Sequence, residues 1–178
     1  MEHQSPTNVH LRLWSKDDLS LLERLMGDPA MTVYLEGPES PEQIRSRHDR
    51  YCRLSDTDKG LMYVIVVGAA GVAAGSVGYW ETEWQGQTVW ETGWSVLPEF
   101  QGQGIATKAT MLVVELVRRL DRYRFLHAFP MVTNGASNAV CRKAGFTLQS
   151  EVELEAWREP GKMLRFNDWR LDLSADQQ

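Results

Sequence analysis

Apolar residues in this chain recur at intervals of two, then of three and four, and each change of interval marks an element. In "NVHLRLW" (8–14), Val9, Leu11 and Leu13 alternate with His10 and Arg12, the period of a half-buried strand. Ser15, with Asp18 three positions on, resembles a capping box; Leu19, Leu22, Leu25 and Met26 follow at helical spacing, and Gly27, Asp28 and Pro29 close the helix. In "SPEQ", Ser40 serves as N-cap, Pro41 as first helical residue and Gln43 as the residue that reaches back, which opens a second helix to about Leu54. Its Arg45, Arg47, Arg50 and Arg53 read as a solvated face rather than an anion site.

The runs "LMYVIVV" (61–67), "VAAGSVGYWETEW" (72–84) and "QTVWETGWSVL" (87–97) are separated by small-residue turns at 68–71 and 85–86, so three successive antiparallel strands are expected. Trp80, Trp84, Trp90 and Trp94 fall on both arms of the second hairpin, where cross-strand stacking is expected. Ile105, Ala109, Leu112, Val113, Leu116, Val117 and Leu120 then trace one face of a long helix ending near Asp121. That helix is long enough to be a crossover, so "RFLHAFP" (124–130) should run parallel to the strand before it, through a right-handed connection. A short helix from about Ser137 to Ala144, with Gly145 as its C-cap, and two strands around "TLQSEVELEAW" and "FNDWRLDL" complete the chain. One domain over 1–178 is expected, with a core at about 8–173 and loose tails at 1–7 and 174–178.

Composition narrows the function classes. Lys and Arg number 19 against 24 Asp and Glu, a formal charge of −5 with no basic run, which gives no nucleic-acid footprint. Cys52 and Cys141 stand far apart and form no CxxC pair, so neither a zinc site nor a disulfide framework is expected, and no metal. The N-terminus lacks a signal layout and the apolar runs are too short for a bilayer, so a cytoplasmic protein without membrane contact is expected. Monomer and homodimer are both left open.

The chemistry is concentrated in "PEFQGQGIATKA" (98–109). A glycine turn entering a helix directs successive backbone N–H groups at one spot, where the helix dipole adds positive potential, so a phosphate is the expected guest. The dinucleotide fingerprint G-x-G-x-x-G breaks at Thr107, and the strand before it belongs to an antiparallel meander. A Walker loop needs Lys before Ser or Thr, and here Thr107 precedes Lys108. A purely structural turn, its glycines admitting close helix packing, remains open.

Gln101, Gly104 and Ala106 also meet a Q/R-x-x-G-x-G/A pattern that resembles the acetyl-CoA pyrophosphate loop of the GNAT superfamily of N-acetyltransferases. "NGASNAVCRKAGF" is similar to the N-x-x-S-N…G-F segment of its RimJ/RimL-like branch, and the element order matches over essentially the whole chain. The resemblance implies an α/β (α+β) fold: a mixed, mostly antiparallel seven-stranded sheet flanked by about four helices, with a central parallel pair splayed apart by a bulge in its first strand. It implies acetyl-CoA as co-substrate. Trp94, Ser95, Val96 and Leu97 would then offer main-chain contacts to pantetheine, while Gln101, Gly102, Gln103, Gly104, Ile105 and Ala106 cradle the pyrophosphate and Thr107 adds a hydroxyl. Asn134 would bind the pantetheine amide region, and Asn138 would help order the site.

Acetyl transfer needs a neutral amine, a polarised carbonyl and a proton for the departing thiolate. At pH 7 a lysine ammonium costs about 4.6 kcal/mol to neutralise and an α-amine only about 1 kcal/mol. By the resemblance, Glu91 in "WETGWSV" is the proton acceptor, ahead of Glu81 and Glu83. The family's usual tyrosine donor is replaced by Cys141, and Ser137 matches the serine that serves in the RimJ/RimL-like branch; Ser137 also reads as the N-cap of its helix. Cys141 reads as a packing thiol, with proton donation as the other reading. Tyr34, Glu36, Trp80, Trp157 and Arg158 are candidates to line the acceptor pocket, for a small-molecule amine or a protein N-terminus. A non-catalytic acyl-CoA-binding or regulatory module is the alternative.

Overall fold

The computed structural model describes residues 8–174. The expectations for the tails 1–7 and 175–178 lie outside the described residues. Strand β1 (Val9–Leu13) follows the alternating pattern, and Ser15 forms the expected capping box with Asp18. That box caps a short 3-10 turn, so helix α1 begins only at Leu19 and runs to Met26. Arg12 meets the Asp18 carboxylate from β1 at 2.8 Å, and together with the cap bonds from Ser15 it holds that carboxyl below its ordinary value against the opposing effect of desolvation, the largest influence on it. Helix α2 (Pro41–Leu54) opens on Ser40 with both capping-box bonds in place. One of its four arginines departs from the solvated face: Arg47 turns inward to Glu39 and Tyr51.

Strands β2 (Gly60–Val67), β3 (Val72–Trp84) and β4 (Gln87–Val96) form the expected antiparallel meander. Helix α3 (Ile105–Leu120) then crosses to β5 (Phe125–Ala128), which lies parallel to β4. Helix α4 (Gly135–Lys143) and the antiparallel pair β6 (Thr147–Glu155) and β7 (Met163–Asp172) complete a seven-stranded sheet of order β1-β2-β3-β4-β5-β7-β6. The sheet is mostly antiparallel and carries four α-helices among the described residues, as the resemblance implied.

The two faces of this sheet are covered differently. On one, α3 lays Ile105, Ala109, Val113 and Val117 against Val77, Tyr79, Trp90, Leu126, Trp169 and Leu171, and α4 adds Cys141 and Ala144. Leu112 and Leu116 are only half buried and Leu120 is exposed, so the apolar stripe of α3 is narrower than its leucines suggest. On the other face, α1 and α2 pack Leu22, Leu25 and Ile44 onto Met62, Val64 and Val66, with Trp80 at the margin. That second cover stops near β3, which leaves the same face of β4, β5 and β7 to side chains of other kinds.

The tryptophans obey this division rather than stacking together. Because side chains alternate along a strand, Trp90 and Trp94 go to the α3 face while Trp80 and Trp84 go to the other. Trp90 packs edge-on between Tyr79 and Tyr123, with ring centroids 5.2 and 4.9 Å away; Trp84 reaches Phe129 at 4.7 Å. The expected cross-strand stack is therefore absent from the described residues, and each ring is a packing element of its own layer.

Candidate active site

β4 and β5 are matched only at Trp90↔Leu126 and Glu91↔His127; after Glu91, β4 has no β5 partner, while β5 stays paired with β7 to Ala128. The expected bulge in β4 is not what separates them. β4 pairs with β3 residue for residue from Gln87 to Val96, without a register shift. Leu97 N–H bonds Ala74 O at 2.8 Å, so by the alternation of an antiparallel ladder Ser95 and Leu97 direct their main chain to β3. Trp94 and Val96 direct theirs into the gap, and only this half of the Trp94–Leu97 quartet remains open for a guest. Val96 O already accepts from Gln101 Nε2 at 2.8 Å, so the Gln101 side chain braces the loop from behind.

At the gap's end the chain makes the glycine turn. Gly102 and Gly104 both have φ of +74°, in the left-handed region, and a Cβ placed on either would meet nothing within 4 Å. Close packing therefore does not explain these glycines; a backbone only glycine adopts easily does. Among the described residues, the N–H groups of Gly102, Gln103, Gly104, Ile105, Ala106 and Thr107 have no protein acceptor, the first helical bond being Lys108 N–H to Gly104 O. The first turn of α3 carries no carboxylate. The result is an open cradle of donors at a helix N-terminus, which fits a phosphate group.

Glu91 stands on the face away from α3. It lies opposite Trp80, whose ring lies over Gly93, where a Cβ would come within 3.0 Å of the indole. Burial pushes the Glu91 carboxyl above its ordinary value, and donors from Trp80 and Thr82 and the charge of His127 pull the other way. Glu81 points to the opposite face and is engaged by Tyr123 and Arg122, while Glu83 is bonded by Thr88. Neither shares the Glu91 surface.

At the start of α4, one expectation is corrected. Asn134, not Ser137, is the N-cap: its Oδ1 accepts from Ser137 N–H at 3.1 Å, so the amide oxygen is committed to the helix. The Ser137 hydroxyl is left without a partner among the described residues. Asn138 is buried and engaged within the protein, donating to Met131 O and Asn134 O and accepting from Asn167 and Trp169, which ties α4 to β7. Cys141 faces the core, and burial pushes its thiol up to about 12, which removes it as a proton donor.

The acceptor candidates are also redistributed. The carboxylate of Glu36 accepts the backbone N–H of Trp157 and of Arg158, each at 2.9 Å, and Arg158 donates back to Glu36 O and Pro38 O. Glu36 and Arg158 thus clasp the α1–α2 connection to the β6–β7 turn. The β6–β7 hairpin extends past the end of β5. Trp157 is 84% exposed, Tyr34 is exposed two residues before Glu36 on the clasped loop, and of the five candidates Trp80 is the one that lies opposite Glu91.

Three residues on the Glu91 face were not singled out by sequence: His127, Asp168 and Phe129. His127 Nδ1 lies 2.6 Å from Asp168 Oδ1, and its ring stacks on Phe129. A lone histidine within the apolar strand "FLHA" was the available signal.

A family model described as an acetyltransferase (GNAT) domain matches residues 8–147. No curated protein sequence matches the chain. Several solved structures share the fold. One is an acetyltransferase of the GNAT family from Bacillus anthracis, 14% identical over 94% of this chain and 96% of that one, with a TM-score of 0.76. Another is spermidine N-acetyltransferase from Vibrio cholerae, in complex with CoA and spermine, 17% identical over 93% and 96% at 0.75. A third, from Salmonella typhimurium, modifies the N-terminal serine of the 50S ribosomal subunit protein L7/L12 and is 22% identical over 92% and 94% at 0.75.

Proposed function

The chain belongs to the GNAT acetyltransferase family, and from that premise we propose that it moves an acetyl group from acetyl-CoA to a primary amine by direct attack in a ternary complex. The observation that carries this reading is the donor cradle of Gly102–Thr107 opening beside the Trp94 main chain and the Val96 N–H, which β3 leaves unpaired. The cradle binds the pyrophosphate, with Thr107 adding its hydroxyl, and the strand edge binds the pantetheine arm. A free β4 N–H polarises the thioester carbonyl. Glu91 takes the amine's proton, and the burial that raises its carboxyl above the ordinary value makes it the stronger base for that step. Ser137 gives a proton to the departing thiolate, in the place that Cys141 is too deeply buried to serve.

Relatives of the same fold act on spermidine, on a ribosomal protein N-terminus and on aminoglycosides, so both acceptor classes, a small-molecule amine and a protein N-terminus, stay within the proposal. An α-amine needs less help from Glu91 than a lysine-type amine does. The protein works in the cytoplasm, in keeping with two free cysteines. Among the described residues no helix is long and apolar enough to cross a membrane.

One observation favours a second reading, an acyl-CoA-binding module without turnover: the family's tyrosine donor is absent and its place is a buried thiol. Thiol release from acetyl-CoA over a panel of polyamines, aminoglycosides and N-terminal peptides separates the two. Turnover on any amine supports the transferase; binding of acetyl-CoA with no turnover on the whole panel overturns it.

A further inference from the structure

The face that holds Glu91 carries a second acid–base pair with no part in the scheme above. His127 and Asp168 are 4% and 2% exposed, and Asp168 accepts on both oxygens, from His127 Nδ1 at 2.6 Å and from Trp84 Nε1 at 3.0 Å. A proton on Nδ1 is what that bond requires, and it leaves Nε2 as the basic nitrogen. Phe129 stacks on the imidazole at 5.7 Å and 14°, fixing its plane. Among the described residues, two enclosed side-chain polar atoms lack a partner, Trp90 Nε1 and Asn167 Oδ1. His127 Nε2 likewise makes no hydrogen bond among the described residues, which leaves its lone pair available.

The register brings this nitrogen's residue to Glu91. Glu91 and His127 are direct partners across β4 and β5, so their side chains leave the same face from strands about 4.8 Å apart. The charged groups turned toward His127 are Glu91 from β4 and Asp168 and Arg170 from β7; β3 contributes only the Trp84 N–H, and β5 itself only Phe125 and Phe129.

We propose that His127, held by Asp168, is a second proton acceptor for the acetyl transfer, receiving at Nε2 the proton that Glu91 takes from the amine. The proposal rests on Glu91 being the first acceptor. An N–H bond of the attacking amine breaks as an O–H bond forms on Glu91; that O–H bond then breaks as an N–H bond forms at His127 Nε2. Glu91 is returned as a carboxylate, and the imidazolium sits beside Asp168. Its proton leaves from Nε2 to solvent after product release, and no electrons are exchanged. Imidazole is ordinarily the stronger base of the two, so the second transfer has a direction. Asp168 is a positioning residue that sets the tautomer.

The test uses the full chain labelled with 15N-histidine. The His127 resonances should report the Nδ1–H tautomer, and titration of Nε2 should move to lower pH in Glu91→Gln, because a negative neighbour is removed. In the amine panel, His127→Gln should lower kcat by about tenfold or more and shift the acidic limb of the pH profile, with the KM for acetyl-CoA within about twofold. Asp168→Asn should lower kcat less, and Glu91→Gln with His127→Gln should be no slower than Glu91→Gln alone. A His127 titration that is the same in both proteins, or a wild-type profile in His127→Gln where Glu91→Gln is impaired, overturns the proposal and leaves the Glu91 role standing. A wild-type profile in Glu91→Gln overturns both. If His127→Gln does not fold, the titration in Glu91→Gln decides alone.

Discussion

The donor cradle at 102–107 and the face around Glu91 are joined by a single strand, β4, yet they are made of different parts. The cradle is a run of consecutive main-chain N–H groups whose geometry follows from two left-handed glycines and the start of α3. The Glu91 face is a set of side chains from β3, β4, β5 and β7, and Glu36 fastens two further loops together. Main-chain donors need only the right turn. Side-chain chemistry needs several distant segments to arrive in register.

Substitutions on the two sides should therefore fail in different ways. The largest effect is expected at Glu91→Gln, which should lower kcat by about 10²–10³, most severely at low pH where neutral amine is scarce, with acetyl-CoA affinity unchanged. The same substitution should stabilise the fold. Burial raises the Glu91 carboxyl, so the native state favours the protonated form; stability from this group is fully present below its unfolded value and is lost as pH rises through the folded one. Glutamine removes that loss, so the Tm of Glu91→Gln should exceed the wild type's above pH 7 and match it near about pH 4. Equal melting at both pH values would show that Glu91 carries no burial cost.

On the donor side, Gly104→Val should weaken acetyl-CoA binding by about 10–100-fold in calorimetry, because a β-branched residue at φ of +74° costs on the order of 1–3 kcal/mol and tilts the cradle. Its kcat at saturating acetyl-CoA should stay within about threefold, the reverse of the Glu91 pattern. A loss of kcat with unchanged affinity would break the division between the two regions.

A smaller effect, about tenfold on kcat, is expected for Ser137→Ala, again with affinity unchanged. Because Asn134 is the cap of α4, Ser137→Ala should leave the Tm in place, whereas Asn134→Ala should cost about 1 kcal/mol. The smallest effect is expected at Glu36→Gln, which weakens the charge-assisted bonds to Trp157 and Arg158. It should raise the acceptor KM about threefold while acetyl-CoA affinity holds. A change in acetyl-CoA affinity there would mean that the clasp also shapes the donor side.

The same contrast explains what could be read from the chain directly. The cradle was legible because its determinants are adjacent: Gly102, Gly104 and an apolar helix behind them, with no need to know what packs opposite. Both capping boxes and the meander were legible for the same reason. Two expectations failed because each depended on which neighbour a side chain meets. The tryptophans were assigned to one cluster, but the period of two sends them to opposite faces. Ser137 was offered as a helix cap, but Asn134 three residues earlier takes the bond. Glu36 is an acceptor candidate by sequence, and only the fold brings two backbone N–H groups from more than a hundred positions away onto its carboxylate.

By itself, then, the order of residues determined the elements, their succession and the anion cradle, since these follow from local torsion preferences and hydrophobic period. Tertiary structure decided the rest: that β4 and β5 part without a bulge, that Asn138 and Glu36 are committed within the protein, and that His127 and Asp168 come together beside Glu91. Those outcomes depend on strand register and on competition among distant groups for the same hydrogen bonds. Neither is written in any local stretch of sequence.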